Sequence, residues 1–134
     1  MAAGVGPPLR WAVIGVALEA ADADTKGGVR RALVVSYEAF HRSGLVTVCP
    51  ITTARQTPHY PGEVALPAGE AGQTKDVLIL CARLQTVALR HVRASPEIAY
   101  VTDPPVRSAV RAALRHHLGL DIPPLSDGAA PRQE

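Results

Sequence analysis

Short apolar runs separated by loops that contain glycine and proline make up most of this chain. Runs of strand length occupy residues 10–18, 31–37, 45–52, 62–66, 76–87 and 97–101. They are rich in valine, and several of them alternate apolar with polar residues, which is typical of β-strands. Because these runs do not alternate with helical segments, a nucleotide-binding α/β fold is excluded. The pattern predicts a compact, mainly antiparallel β domain.

One helix is predicted after the last strand, with a signal at each end. Asp103 can act as its N-cap, and Pro104 suits the first helical position. Apolar residues then recur at helical spacing, and Gly119 ends the segment. We expect one folded domain over residues 10–119, between a flexible N-terminus (1–9) and a disordered tail (120–134) that is rich in proline, glycine and polar residues.

Composition limits the possible functions. The net charge of +2 permits a polyanionic partner without requiring one. Aromatic residues make up 4% of the chain, so stacking of bases on several aromatic side chains is not the main binding mode. Both cysteines, Cys49 and Cys81, lie in apolar runs, which predicts buried thiols in a reducing cytosol. The apolar run after Arg10 leaves a secreted protein as a weaker alternative. No run is long enough to span a membrane.

The stretch from residue 27 to residue 53 carries the strongest candidate site. Two glycines permit a sharp turn, and Arg30 and Arg31 follow them at the start of a strand. Alternation sends these two side chains to opposite faces. The next strand ends in Thr52 and Thr53, so a guanidinium and a hydroxyl can meet at one sheet edge with a phosphate between them. From spacing alone, arginines that solvate an edge and threonines that suit a strand remain the simpler interpretation.

Other kinds of site find little support in the sequence. The five histidines and two cysteines lack the spacing of a zinc site. Neither a Gly-rich phosphate loop nor a nucleophile elbow is present. We therefore predict no metal and no cofactor. His59 can act as an acid or base, and Asp24 can supply a base from the loop before Arg30, although either residue also fits an ordinary solvated loop.

Four sequence blocks resemble one known family. GGVRRALVVSYEAFHRSG resembles the segment of MazF/PemK-type toxins in which a G-x-R-P turn precedes a valine-rich strand. VTVCPITT resembles the strand ending in (I/C)T(S/T), HYPGEVAL resembles the YP-x-EV strand, and DVLILCARLQTVAL resembles the segment that carries a DQ pair. The blocks occur in the family's order. The chain therefore resembles a divergent MazF/PemK (Kid)-type toxin of a type II toxin–antitoxin system.

This resemblance implies a fold, an activity and partners. The fold is a small SH3-like antiparallel β-barrel of the CcdB/PemK type with a C-terminal α-helix, and it forms a homodimer. The activity is sequence-selective, metal-independent cleavage of single-stranded mRNA through attack by the 2′-OH. The products are a 2′,3′-cyclic phosphate and a 5′-OH. The partners are single-stranded RNA and a cognate MazE-like antitoxin with an acidic, partly disordered tail.

The resemblance also assigns roles to residues. The family's catalytic arginine and threonine correspond to Arg30 and Thr52, and Asp24 lies near the place of the family's loop glutamate. Contacts with the RNA backbone and bases are expected from Lys26, Arg31, Thr53, Arg55 and Gln85.

The sequence departs from the family at several places. Arg31 stands where the family has proline, Ala82-Arg83 replaces the DQ pair, and Gln85 stands where the family has a basic residue. The loop before Arg30 reads Asp24-Thr25-Lys26, so the family's glutamate is missing there unless Asp24 substitutes for it. A second interpretation therefore stays open. The chain would then be a non-cleaving binding module, either a degenerate MazF-like protein or a CcdB-like one directed at a gyrase-like target, since one fold can serve both functions.

Overall fold

The computed structural model describes residues 7–18, 28–93 and 98–125. Within these ranges lie an eight-stranded sheet and one α-helix. Their bounds are β1 (Ala12–Leu18), β2 (Gly28–Val34), β3 (Leu45–Thr52), β4 (Glu63–Leu66), β5 (Val77–Leu80), β6 (Gln85–Ala88), β7 (Val92–Arg93), β8 (Ala99–Tyr100) and α1 (Pro104–Leu118). The predicted flexible N-terminus and disordered tail fall largely on residues 1–6 and 126–134, which lie outside the described residues.

Every strand pair is antiparallel. The sheet runs in the order β4-β5-β3-β2-β1-β7, while β6 pairs with β3 and β8 pairs with β1. The strands form a half-barrel that is followed by α1, which confirms the predicted mainly β fold with a C-terminal helix. The run at 76–87, which looked continuous in the sequence, is divided into β5 and β6 by a 3₁₀ turn at Cys81–Arg83.

The three longest strands carry apolar side chains on both faces. Even-numbered residues of β1, β2 and β3 pack into one cluster, which includes Ile14, Val34, Val46 and Val48. The opposite face, which includes Leu33, packs into a second cluster with β4, β5 and α1. Because both faces are buried, these strands appear in the sequence as nearly continuous apolar runs.

Pro50 lies within β3 at the point where the outer edge of that strand changes partner. Pairing with β6 ends at Val48, and pairing with β5 begins at Ile51. Val35 N donates to Thr47 O across the β2 edge, so odd-numbered residues of β3 direct their backbone groups to β2 and even-numbered residues direct theirs outward. The missing N–H of Pro50 therefore falls in the gap between β6 and β5, where proline is tolerated in a strand.

Helix α1 has the predicted ends. It begins at Pro104 after Asp103, and it ends at Gly119, whose φ of 66° lies in the left-handed region. Asp103 makes no side-chain cap, and Glu70 instead accepts hydrogen bonds from the Thr102 and Asp103 amides at 2.7 and 3.2 Å. In the described ranges, no helix combines the length and the apolar character needed to cross a membrane.

Candidate nucleic-acid interface

A cleft of about 290 Å³ lies beside the strands β1, β2 and β3. It brings together three of the residues predicted to bind RNA or to act in catalysis, namely Arg30, Arg31 and Thr53. The full lining consists of Gly15, Val29, Arg30, Arg31, Ile51 and Thr53. Two guanidinium groups and a hydroxyl at one opening favour an anionic ligand.

Arg30 and Thr52 lie just beyond the last pair of β2 with β3. That pairing ends at Ala32 and Pro50, and Thr52 pairs instead with Leu78 of β5. Thr52 is not part of the cleft lining. Alternation places Arg30 and Thr52 on the face of β2 and β3 that also carries Ala32. Thr52 is half-buried, and its Oγ1 accepts a hydrogen bond from Ala54 N at 3.1 Å. A hydroxyl that accepts this bond still carries its own hydrogen to donate, which is what a phosphoryl oxygen requires.

Arg31 is held by a residue that the sequence did not indicate. Its Nη1 donates to Gln73 Oε1 at 2.8 Å. Gln73 is 5% exposed, and among the described residues it is the only buried polar or charged side chain. Its Nε2 donates to Ala71 O at 3.0 Å, so both ends of the amide are bonded. Gly15 pairs with Arg31 in the neighbouring strand, and its lack of a side chain leaves room above the sheet.

Arg55 forms a bidentate ion pair. Its Nη1 lies 3.0 Å from Glu63 Oε1, and its Nη2 lies 2.5 Å from Glu63 Oε2. Glu63 Oε1 also accepts a hydrogen bond from His59 N at 2.8 Å. The hydrogen bond from Arg55 is the main reason that the pKa of Glu63 falls to about 2. Glu63 therefore compensates the charge of Arg55, and the pair fastens the loop between β3 and β4.

The remaining predicted site residues lie elsewhere. Gln85 is half-buried on β6, where it pairs with Val48, and it is not part of the cleft lining. Asp24 and Lys26 lie outside the described residues. A larger cleft of about 640 Å³, between α1 and β4, is lined mainly by proline and alanine and contains Glu63. Within the described ranges, no three His, Cys, Asp or Glu side chains are grouped as a metal site.

A family model for the PemK-like, MazF-like toxins of type II toxin–antitoxin systems matches residues 9–118. The chain belongs to this toxin family. The matched residues extend from just before β1 to the end of α1, so the MazF/PemK model accounts for the whole described fold. A comparison with curated protein sequences gives no match.

Solved structures agree with this assignment. MazF from Deinococcus radiodurans is 27% identical with a TM-score of 0.64, over 84% of this chain and 96% of that chain. An endoribonuclease from a mycobacterial species, solved with its cognate antitoxin, is 23% identical with a TM-score of 0.64, over 87% and 99% of the two chains. Another mycobacterial endoribonuclease is 20% identical with a TM-score of 0.65, over 90% and 100%. The described fold is thus that of MazF-type toxins.

Proposed function

We propose that this chain is an endoribonuclease toxin that cuts single-stranded mRNA without a metal or cofactor. The observation that carries the proposal is the cleft lined by Arg30, Arg31 and Thr53, beside the end of β3 that carries Thr52. Membership of the MazF/PemK family supports the reaction class. The similar solved structures are endoribonucleases and MazF toxins, so the non-cleaving alternative is not favoured.

The chemistry needs little from the protein, because RNA carries its own nucleophile. The 2′-oxygen loses its proton and bonds to phosphorus, the bond from phosphorus to the 5′-oxygen breaks, and that oxygen takes up a proton. The protein must hold the strand and stabilise the extra negative charge on the phosphorane. We assign charge stabilisation to Arg30, phosphate positioning to Thr52, and proton removal to Asp24.

We further propose that the protein acts in the cytosol as a homodimer neutralised by a MazE-like antitoxin. The structure of a mycobacterial relative with its cognate antitoxin supports this part of the proposal. The charged fraction of 19% is low and is consistent with a surface that is partly covered by a partner. RNA cleavage must therefore be measured on protein that has been freed of antitoxin.

The test is incubation of the purified, antitoxin-free protein with a mixed-sequence RNA in EDTA, followed by mapping of the cut ends. We expect cleavage that leaves 2′,3′-cyclic phosphate ends. Arg30→Ala should lower the rate by at least a factor of about 100, the loss typical for removal of one charge-stabilising donor. Arg111→Ala, which removes an exposed arginine on α1, is the matched control and should cut normally.

Two results would contradict the proposal. Cleavage by Arg30→Ala at the wild-type rate would show that Arg30 is not the charge-stabilising residue. Absence of any cleavage by the folded wild-type protein would favour the binding module, and growth arrest on expression, if observed, would then indicate another target. Thermal melting of each variant separates a loss of chemistry from a loss of fold.

A further inference from the structure

We propose that Gln73 positions Arg31 as a second phosphate contact in the cleft, distinct from the phosphate held by Arg30 and Thr52. This inference rests on the proposed ribonuclease function and names the part of the RNA that the cleft receives, a phosphodiester next to the one that is cut. Gln73 is a positioning residue because it acts through Arg31.

The two arginines leave β2 on opposite faces. Arg31 lies on the face of Leu33, and Arg30 lies on the face of Ala32 and Val34. The cleft is lined by Val29, Arg31, Ile51 and Thr53, which lie on one face by alternation, and also by Arg30, which leaves β2 on the other. A strand of RNA that crosses this end of the sheet therefore meets Arg30 on one side and Arg31 on the other, so the two guanidinium groups suit two different phosphates.

Among the described residues no carboxylate compensates the charge of Arg31, whereas Glu63 compensates that of Arg55. A carboxylate holds Arg55, whereas a neutral amide holds Arg31. In the part of the chain that the structure describes, Arg31 forms no ion pair. An amide fixes the direction of a guanidinium without cancelling its charge, and the guanidinium keeps further N–H donors for a phosphate.

Burial gives Gln73 the rigidity that a positioning residue needs. Its side chain is held by Ala71 O, and its backbone O accepts a hydrogen bond from Gly69 N at 2.8 Å. A flexible arginine loses side-chain entropy when it binds a ligand, and the Gln73 contact removes part of that cost before RNA arrives. Gly15, which pairs with Arg31, has no side chain to fill the cleft, and Thr53 adds a hydroxyl to the lining.

The experiment measures binding and cleavage separately. The binding probe is a single-stranded RNA with a 2′-deoxy sugar at the cut site, which the enzyme cannot cleave, and its Kd is measured across a range of NaCl concentrations. Arg31→Ala and Gln73→Glu should each weaken binding about tenfold, because the first removes the cation and the second neutralises it in place. Both variants should make the slope of log Kd against log salt smaller by about 0.7, the value for one lost contact with single-stranded RNA.

Gln73→Leu tests positioning alone. It removes the hydrogen bond but leaves the charge, so we expect binding about threefold weaker with an unchanged salt slope. Arg31→Lys should likewise keep the slope. Arg111→Ala, on the exposed face of α1, is the control for loss of a surface charge and should match the wild type. In cleavage assays, the Arg31 and Gln73 variants should raise KM with little change in kcat, whereas Arg30→Ala should lower kcat.

The outcomes separate this inference from the proposed function. It is overturned if Gln73→Glu and Arg31→Ala keep the wild-type Kd and slope, or if Arg31→Ala lowers kcat as Arg30→Ala does. The glutamate and leucine side chains have similar volumes. If Gln73→Glu and Gln73→Leu weaken RNA binding equally and have equal slopes of log Kd against log salt, Gln73 only supports the fold and the inference is wrong. If the wild type cuts no RNA, the proposed function fails, and the unmodified RNA then serves as the binding probe. Weaker binding of that RNA by Arg31→Ala would leave the phosphate contact standing. If the wild type neither binds nor cuts RNA, both fail.

Discussion

The contact between Gly62 and Ala82 allows a quantitative test of packing next to the Arg55–Glu63 pair. Gly62 is buried just before β4, and its carbonyl accepts a hydrogen bond from Cys81 N at 2.8 Å. A Cβ added to residue 62 would lie 2.8 Å from Ala82 Cβ and 3.3 Å from Ala82 N. Carbon atoms in contact normally stand about 3.5–4.0 Å apart. The two segments must therefore separate, and separation strains the hydrogen bond that joins them.

Two opposing effects set the magnitude for Gly62→Ala. The backbone of Gly62 is not in the left-handed region, so alanine would by itself stabilise the protein by about 0.4–1 kcal/mol through the unfolded chain. Overpacking of a buried contact costs about 1–3 kcal/mol. We expect a net loss of about 1–2 kcal/mol in the free energy of unfolding. In the double variant Gly62→Ala/Ala82→Gly the clashing methyl group is absent, so most of the overpacking cost should disappear.

Urea unfolding of the four proteins in this double-mutant cycle provides the measurement. The single tryptophan, Trp11, is 8% exposed and reports on the core. All four proteins are compared at one concentration, because association adds to apparent stability. We expect the two substitutions to couple by about 1–3 kcal/mol in favour of the double variant. Wild-type stability of Gly62→Ala, or effects that add to within about 0.5 kcal/mol, would refute the packing argument.

Three further substitutions test other parts of the structure. Glu63→Gln removes a carboxylate whose pKa is about 2 in the folded state, below its ordinary value of 4.5. The stabilising effect of the carboxylate is thus present above pH 4.5 and lost as the pH falls toward 2. In urea titrations the variant should be less stable than the wild type by about 1 kcal/mol at neutral pH, once screening at Arg55 is included, and this difference should vanish toward pH 2. A difference that stays constant with pH would contradict the role of the ion pair. Gly119→Ala forces a side chain into the left-handed C-cap and should lower stability by about 1 kcal/mol in thermal melts, whereas an unchanged Tm would contradict the cap. Leu33→Ala empties a fully buried position and should cost about 3 kcal/mol in urea, whereas a loss under 1 kcal/mol would mean that the second cluster is loosely packed.

Local signals explain which elements the sequence predicts well. Pro104 and Gly119 act within their own turns, so the bounds of α1 follow from residues inside the segment. The 3₁₀ turn at Cys81–Arg83 has no such signal, because apolar residues continue through it. Strand β7 has two residues, Val92 and Arg93, and it exists only because β1 offers an edge to it.

The candidate site also contains some residues that the sequence indicates and others that only the folded structure reveals. Arg30 and Thr52 lie in blocks that resemble a family motif, and each lies two residues beyond the last pair of β2 with β3. Gln73 gives no periodic signal in its Gly-rich connection, and its partner Arg31 lies 42 residues away, so only the folded chain brings them together. The resemblance made Arg55 a candidate for RNA contact, but it does not reveal that Glu63, eight residues later, binds both arms of the guanidinium.

Pro50 helps to define the register of β3 against β2. A slip of one residue against β2 would rotate the strand and direct even-numbered backbone groups inward, toward β2. The proline would then face a β2 carbonyl with no hydrogen to offer, which leaves a buried acceptor unbonded at a cost of about 1–3 kcal/mol. A slip by one residue is thus penalised as soon as these two strands meet. A residue that contributes no hydrogen bond to the finished sheet thereby helps the chain to avoid misfolded intermediates on its way to it.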